Sequence, residues 1–263
     1  MSAVEALLQP TPPARQDNAK LLVLDIETAP AEAYTWGLFN QNIGLNQLKS
    51  PGGTLSFGAK WVGKKKVHFH SDHHDGHEQM VQRAWTLLDE ADAVIHFNGR
   101  TFDMPHLRRE FFLAGMAPPS PSKDIDLLRV VKSNFRFISN KLDNVSREAG
   151  IGSKVKHEGF GLWLACLQGD PKAWARMKRY NIGDVRLTED LYFRLLPWIK
   201  NHPPFGLLNA DDELRCPKCG SHALEEAGTY VANLLVYQQL RCTNCKGWSK
   251  GKRVGRAGNT GGI

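Results

Sequence analysis

Three short stretches of this 263-residue chain carry oxygen-bearing side chains at spacings that could hold divalent cations. The first is Leu24-Asp25-Ile26-Glu27-Thr28, at the end of an apolar run. In a strand, residues two apart point to one face, so Asp25 and Glu27 project together while Ile26 points into the core. Neighbouring carboxylates raise each other's pKa unless a cation sits between them, and oxygen-only ligands suit Mg²⁺ or Mn²⁺. A solvated strand end would read the same way. The second stretch, Asn98-Gly-Arg-Thr-Phe102-Asp103-Met-Pro105, reads as a strand end, a glycine turn and a helix start at Asp103. An acid there also serves as an ordinary first-turn residue favoured by the helix dipole, and Pro105 suits a first turn. The third is Tyr180-Asn-Ile-Gly-Asp184 within a long helical pattern. Positions four apart share a face, and Leu187, Leu191 and Leu195 continue the stripe. Tyr180 and Asp184 therefore head a core-facing seam, where an acid without a partner is costly. An exposed acid beside an interfacial tyrosine is the plainer alternative.

A different chemistry is written near the C-terminus. Cys216-Pro-Lys-Cys219 and Cys242-Thr-Asn-Cys245 are two Cys-x-x-Cys pairs, and four thiolates make a closed tetrahedral site for one structural Zn²⁺. Tyr230–Leu240 between them has the β-branched and aromatic content of a strand or hairpin, so the module reads as a zinc ribbon. About 50 residues cannot be stable on hydrophobic burial alone, and metal binding would fold them. Lys246, Lys250, Lys252, Arg253 and Arg256 follow, with Trp248 among them, a mixture that suits single-stranded nucleic acid as well as a solvated tail. Cys166 lies in an apolar stretch and reads as a small core residue. His68, His70, His73, His74 and His77 fall within ten residues, and a strand edge followed by a polar loop accounts for them without a metal.

The elements that must position these groups can be read from periodicity. Strands are expected at 21–26, 55–62, 67–70, 93–97 and 124–127, with a loop-rich insertion over 34–53. Apolar residues at helical spacing predict helices at 76–91, with an Asp75/Glu78 capping box, and at 102–114, 126–133, 142–149, 160–168 and 172–196. Strands first and then strands alternating with helices imply an α/β fold with a mixed, part antiparallel and part parallel sheet under helical cover. The expected organisation is a flexible arm (1–19), a main domain (20–200), a linker (201–212), the zinc ribbon (213–250) and a basic flexible tail (251–263).

In order and local context, the three acidic stretches resemble the three exonuclease motifs of the DnaQ-like superfamily, which has a ribonuclease-H-like fold. Asp25-x-Glu27 is similar to the first motif, Asn98-x-x-x-Phe102-Asp103 to the second and Tyr180-x-x-x-Asp184 to the third. A tyrosine in the third motif marks the DEDDy subgroup, which includes proofreading domains of family-B polymerases and free-standing nucleases of bacteria and phages. The resemblance covers about residues 20–196. It implies a 3′→5′ exonuclease working with two Mg²⁺ or Mn²⁺. Asp25 would bridge both metals, Glu27 and Asp184 would complete the shell of the one that activates water, and Asp103 would hold the second through water. Tyr180 would orient the water. Thr28, Asn98 and Phe102 would hold the terminal nucleotide. Lys141 could reach a phosphate, although an exposed lysine at a helix start is the plainer reading.

Bulk properties agree without deciding. With 34 Lys/Arg against 27 Asp/Glu the net charge is +7, and residues 211–263 hold 8 against 5. A basic balance permits a polyanionic partner. No apolar run approaches the ~20 residues that span a bilayer, and the N-terminus lacks the pattern of a signal peptide. The expectation is a cytoplasmic protein (host cytoplasm if phage-encoded) acting on single-stranded 3′ ends, DNA ahead of RNA, with replication or repair proteins as partners through the ribbon. An inactive nucleic-acid-binding adaptor, an RNA-trimming exonuclease and a structure-selective endonuclease on the same fold are the alternatives.

Overall fold

The computed structural model describes residues 19–156, 158–208 and 213–256. The expected arm up to residue 18, the end of the linker (209–212) and the end of the tail (257–263) lie outside the described residues. Contacts divide the chain into two compact units, one of Lys20–Leu191 and one that includes Tyr192 onward.

The first unit is built on a five-stranded sheet. β1 (Leu21–Ala29) is followed by a two-stranded ladder, β2 (Glu32–Ala33) and β3 (Leu48–Ser50), that forms the neck of the 34–47 insertion. Then come β4 (Gly53–Trp61), β5 (His68–Ser71), β6 (Ala93–His96) and β7 (Lys123–Asp126). The main sheet has the order β5-β4-β1-β6-β7. β4 pairs antiparallel with β1 and β5, whereas β6 runs parallel to β1 and β7, so the sheet is mixed as expected. Its helices are α1 (Asp72–Asp75), α2 (His77–Asp89), α3 (Asp103–Leu113), α4 (Leu127–Asn134), α5 (Leu142–Glu148), α6 (Phe160–Leu167) and α7 (Pro171–Leu195).

Alternation along β1 decides which face does what. Leu22, Leu24 and Ile26, with Phe57 and Ala59 of β4, pack against Met80, Val81, Ala84 and Leu88 of α2 and Met104, Leu107 and Phe111 of α3. Burying each such side chain is worth about 1.5–3 kcal/mol, so this layer fixes the register that turns Asp25 and Glu27 the other way. A second cluster joins Leu55 to Leu162 and Cys166 of α6 and Ala173, Trp174, Met177 and Tyr180 of α7, which confirms Cys166 as a core residue. A further tie is the buried Lys60–Glu189 ion pair, whose other carboxylate oxygen accepts from Gly63 N at 2.9 Å.

Two local expectations fail. The Asp75/Glu78 capping box is absent: Gly76 is the N-cap of α2, and the Asp75 carboxylate accepts from Ser71 N and meets His70 Nδ1, both at 3.0 Å. The tail is not flexible coil throughout, because residues 248–256 form a strand.

The second unit holds that strand. β8 (Leu224–Ala232), β9 (Leu235–Cys242) and β10 (Trp248–Arg256) form an antiparallel sheet in the order β10-β9-β8. Part of the expected linker is also ordered. Phe205–Leu207 makes a 3-10 turn whose Gly206 N donates to the Pro217 carbonyl at 3.0 Å. A Cβ on Gly206 would come within 2.1 Å of the Cys216 carbonyl oxygen, so only glycine fits against the first cysteine pair. Among the described residues no helix is long and apolar enough to cross a membrane.

Candidate active site

Register places Asp25 opposite Gly58 and Glu27 opposite Ser56 on the sheet face away from α2. Gly58 leaves space there for α7: a Cβ at this position would lie 2.8 Å from Val185 Cγ2 and 2.9 Å from Asn181 Oδ1. With the helix this close, one carboxylate oxygen each from Asp25, Glu27 and Asp184 falls within 4.8 Å of the others, a group that could hold a metal ion. Asp184 is fully buried and Tyr180 almost so. Asn181, between them on α7, donates its side-chain amide to Asp25 Oδ2 at 2.7 Å.

Asp103 does not join that trio. It is buried at the start of α3, and its Oδ1 accepts from the Ile26 backbone N–H at 3.0 Å. It is still close enough for its charge to act on Asp25. Burial pushes Asp103 up to about 6, although the Ile26 N–H and the nearby His96 oppose the shift.

Electrostatics at the trio are unfavourable without a cation. Asp25 is raised well above the usual carboxylate range by burial, then by the charges of Glu27, Asp103 and Asp184. Glu27 is pushed up to about 8 by burial and by Asp184. A divalent cation held by the three would remove their mutual repulsion, and an all-oxygen donor set fits Mg²⁺ or Mn²⁺. The residues present thus fit such an ion.

Sequence reasoning missed Lys154. It stands in an aperiodic segment after α5, where its backbone N–H donates to Asp143 Oδ1 at 2.9 Å. Its ammonium donates to the Tyr180 hydroxyl oxygen at 2.9 Å and lies 2.5 Å from Asp184 Oδ2. Burial alone would lower the Lys154 pKa, but Asp184 and Tyr180 outweigh it and hold the ammonium charged. Burial, followed by the Asp184 charge, raises Tyr180, so the phenol stays protonated.

A cavity of about 390 Å³ opens beside Asp25, lined among others by Phe97, Asn98, Asn140, Lys141 and Lys154. Two of the expected substrate-holding residues, Asn98 and Lys141, therefore share a hollow with an acid. Asn98 adopts a left-handed conformation (φ 71°), and its N–H donates to Asp126 Oδ1 at 3.0 Å. Phe102 is 40% exposed at the N-terminus of α3, with its ring against His106. Thr28 pairs with Thr54 just past a slip in register. Neither Phe102 nor Thr28 lines that hollow. A larger hollow of about 700 Å³ lies between α3 and residues 116–122; its walls are mainly apolar and include no carboxylate.

Four of the five clustered histidines make side-chain contacts; His70 meets Asp75 as described above. His74 Nδ1 meets Ser71 Oγ at 2.7 Å, His77 Nδ1 meets Asp72 at 2.8 Å, and His73 stacks on Trp174.

In the second unit the four cysteine sulfurs lie within 4.8 Å of one another, with Cys216–Cys245 and Cys219–Cys242 each at 3.6 Å. The sulfurs of a tetrahedral zinc site with bonds of about 2.3 Å stand about 3.8 Å apart, so the set fits Zn²⁺. The group is compatible with a zinc ribbon.

The sequence profile of the RNase_H_2 family, described as RNase_H superfamily, matches residues 42–196. The chain belongs to this superfamily, and its mixed α/β fold is RNase H-like. Comparison with curated protein sequences gave no match. Membership supports a metal-dependent nuclease-type function and, with it, nucleic-acid binding.

Proposed function

We propose that this chain is a 3′→5′ exonuclease of the DnaQ-like DEDDy subgroup that removes nucleotides from single-stranded 3′ ends, DNA ahead of RNA. The observation that carries the reading is the grouping of Asp25, Glu27 and Asp184 within 4.8 Å, with the Tyr180 hydroxyl tied to the same Lys154 ammonium as Asp184. Asp25, Glu27 and Asp184 would hold Mg²⁺ or Mn²⁺, with Asp103 supporting a second ion. Such ions, when bound, supply an activated water and neutralise charge developing on the phosphate.

The chain's own groups do the rest. Asn181 holds the Asp25 carboxylate in place. Tyr180, protonated and fixed by Lys154, acts as a hydrogen-bond donor that orients the attacking water and not as a base. Lys154 and Lys141 present positive charge to the hollow beside Asp25, where Asn98 offers an amide to the terminal nucleotide. In the second unit, Cys216, Cys219, Cys242 and Cys245 would hold one structural Zn²⁺ as a zinc ribbon.

Asp25→Asn and Asp184→Asn test the assignment. Each should remove nearly all hydrolysis of a labelled single strand in Mg²⁺ while binding in the absence of metal persists, because the metals act on the transition state and other groups hold the strand. Near-normal turnover in either variant would reject the site.

A further inference from the structure

The ribbon sheet has two faces of different character. On β9, Leu240 and Cys242 point to the interior of the module, and Gly251 of β10 approaches Leu240 and Gln238 on that side. The other face carries Tyr237, Gln239 and Arg241, the alternate residues. Residues paired across an antiparallel ladder share a face, so the register extends this row onto both neighbours. Tyr237 pairs with Tyr230 of β8 and Arg253 of β10; Gln239 pairs with Lys250; Arg241 pairs with Glu225 and Trp248.

Two irregularities in β10 keep its cations on that face. Lys250 and Arg253 are three apart, and regular alternation would turn them to opposite sides. The slip between them restores Arg253, and a second slip after it brings Arg256 opposite Leu235, again in the row of Tyr237. Four cations (Arg241, Lys250, Arg253, Arg256) thus share one surface with three aromatic rings and, among the described residues of these strands, one acid, Glu225. Tyr230 and Trp248 are each 48% exposed. The Arg241 guanidinium lies 5.4 Å from the Trp248 ring and the Lys250 ammonium 4.8 Å from the Tyr237 ring, so charge and ring are interleaved.

We propose that this face of the β8–β10 sheet is a binding site for single-stranded nucleic acid, its rings stacking on bases and its cations meeting phosphates. Aromatic platforms bordered by Lys and Arg suit single strands, whose bases are free to stack, better than duplexes, whose bases are paired. The charge excess matches a polyanion. A partner recognised by charge alone, such as an acidic protein, would not need the exposed rings. The site uses only residues of the second unit and does not depend on the hydrolytic reading above.

The test uses the full-length chain without added divalent metal, so that no strand is cut. Binding of fluorescent oligonucleotides of about 20 nucleotides, DNA and RNA, is measured against salt, alongside polyglutamate. Replacing both cations, Lys250→Gln with Arg253→Gln, should lower the slope of log K against log salt by about 1.4, about 0.7 per phosphate contact. Trp248→Ala should weaken binding about 5–150-fold, the range expected for loss of one stacked base. Lys246→Gln, off the sheet, and the charge-keeping pair Lys250→Arg with Arg253→Lys should leave the slope in place. Bound zinc and melting of each variant show whether the module is intact. An unchanged slope and affinity in intact Lys250/Arg253 and Trp248 variants overturns the proposal. Polyglutamate binding as tight as DNA, insensitive to Trp248→Ala, would do so too and would point to an acidic protein. Hydrolysis by the same preparations reports separately on the nuclease reading.

Discussion

The Lys154 ammonium donates to the Tyr180 hydroxyl oxygen at 2.9 Å, and the same nitrogen lies 2.5 Å from Asp184 Oδ2. One cation therefore sets the spacing between the phenol and the acid one helical turn further on. Tyr180→Phe keeps the ring and its packing against Trp163 but deletes the oxygen. Hydrolysis should fall on the order of 10–1,000-fold, less than for loss of Asp25 or Asp184. Lys154→Met should cost on the order of 100-fold, with partial recovery in Lys154→Arg. Turnover in both Tyr180→Phe and Lys154→Met equal to that of the parent chain would reduce the pair to a packing contact.

Gly58 is where α7 meets the sheet. Gly58→Ala forces a methyl group to 2.8 Å from Val185 Cγ2 and 2.9 Å from Asn181 Oδ1, so one of these buried side chains or α7 itself must shift. Overpacking of this kind costs about 1–3 kcal/mol. Denaturant melts should show that loss. Activity should fall further than stability alone explains, because Asn181 would give up its 2.7 Å bond to Asp25. A melt that matches the parent chain would show that the helix can move off freely.

These two contacts mark the boundary of what the sequence discloses. Asp25 and Glu27 on one strand face, and Tyr180 and Asp184 on one helix face, follow from local periods of two and about 3.6, so those pairs were legible. The five strands of the main sheet and the long helix were legible from local pattern as well. Asp103 was placed correctly at a helix start, but its bond to the Ile26 N–H belongs to the packing of α3 on β1 and has no local signal. Lys154 sits in a stretch with no period, indistinguishable by type from exposed lysines such as Lys156. Gly58 matters only once α7, far later in sequence, lies over β4. The start of the expected tail differs for a similar reason: Gly251-Lys-Arg253 reads as coil, and only its pairing with β9 makes it a strand. The capping box failed because Asp75 found closer partners in Ser71 and His70.

The cysteine cluster should account for one Zn²⁺ per chain. Removing any one thiolate breaks the tetrahedral set, so Cys216→Ser or Cys242→Ser should lower zinc content and unfold the second unit. Metal analysis with thermal melting of the full chain checks this. A chain free of zinc that melts unchanged after chelation would show that the four sulfurs are held by packing alone.

His202 gives the second unit a pH dependence. Its Nδ1 meets the Pro203 carbonyl at 2.7 Å and its Nε2 the Tyr192 hydroxyl at 2.8 Å, which fits a neutral ring donating through Nδ1 and accepting at Nε2. Burial lowers its pKa to about 4; the Pro203 carbonyl opposes that shift and Lys218 adds to it. The folded state thus binds the proton less readily than the unfolded chain, whose histidine titrates near 6.5. The sign follows: the contribution is fully present above about 6.5 and is lost as pH falls toward about 4. His202→Gln keeps an acceptor for Tyr192 and a donor for Pro203 but does not titrate. Between pH 6.5 and 4.5 the melting temperature of the parent chain should fall more steeply than that of His202→Gln. Parallel curves would remove His202 from the account.

The most direct measurement of the central claim is a time course in Mg²⁺ on three forms of one single-stranded DNA: 3′-labelled, 5′-labelled and circular. The account predicts that the 3′ label appears first as a mononucleotide, that the 5′-labelled strand shortens as a ladder, and that the circle survives. Chelation before mixing should stop both the release of the 3′ label and the shortening of the 5′-labelled strand. Cleavage of the circle, or loss of the 5′ label as the first mononucleotide, would contradict a 3′→5′ exonuclease.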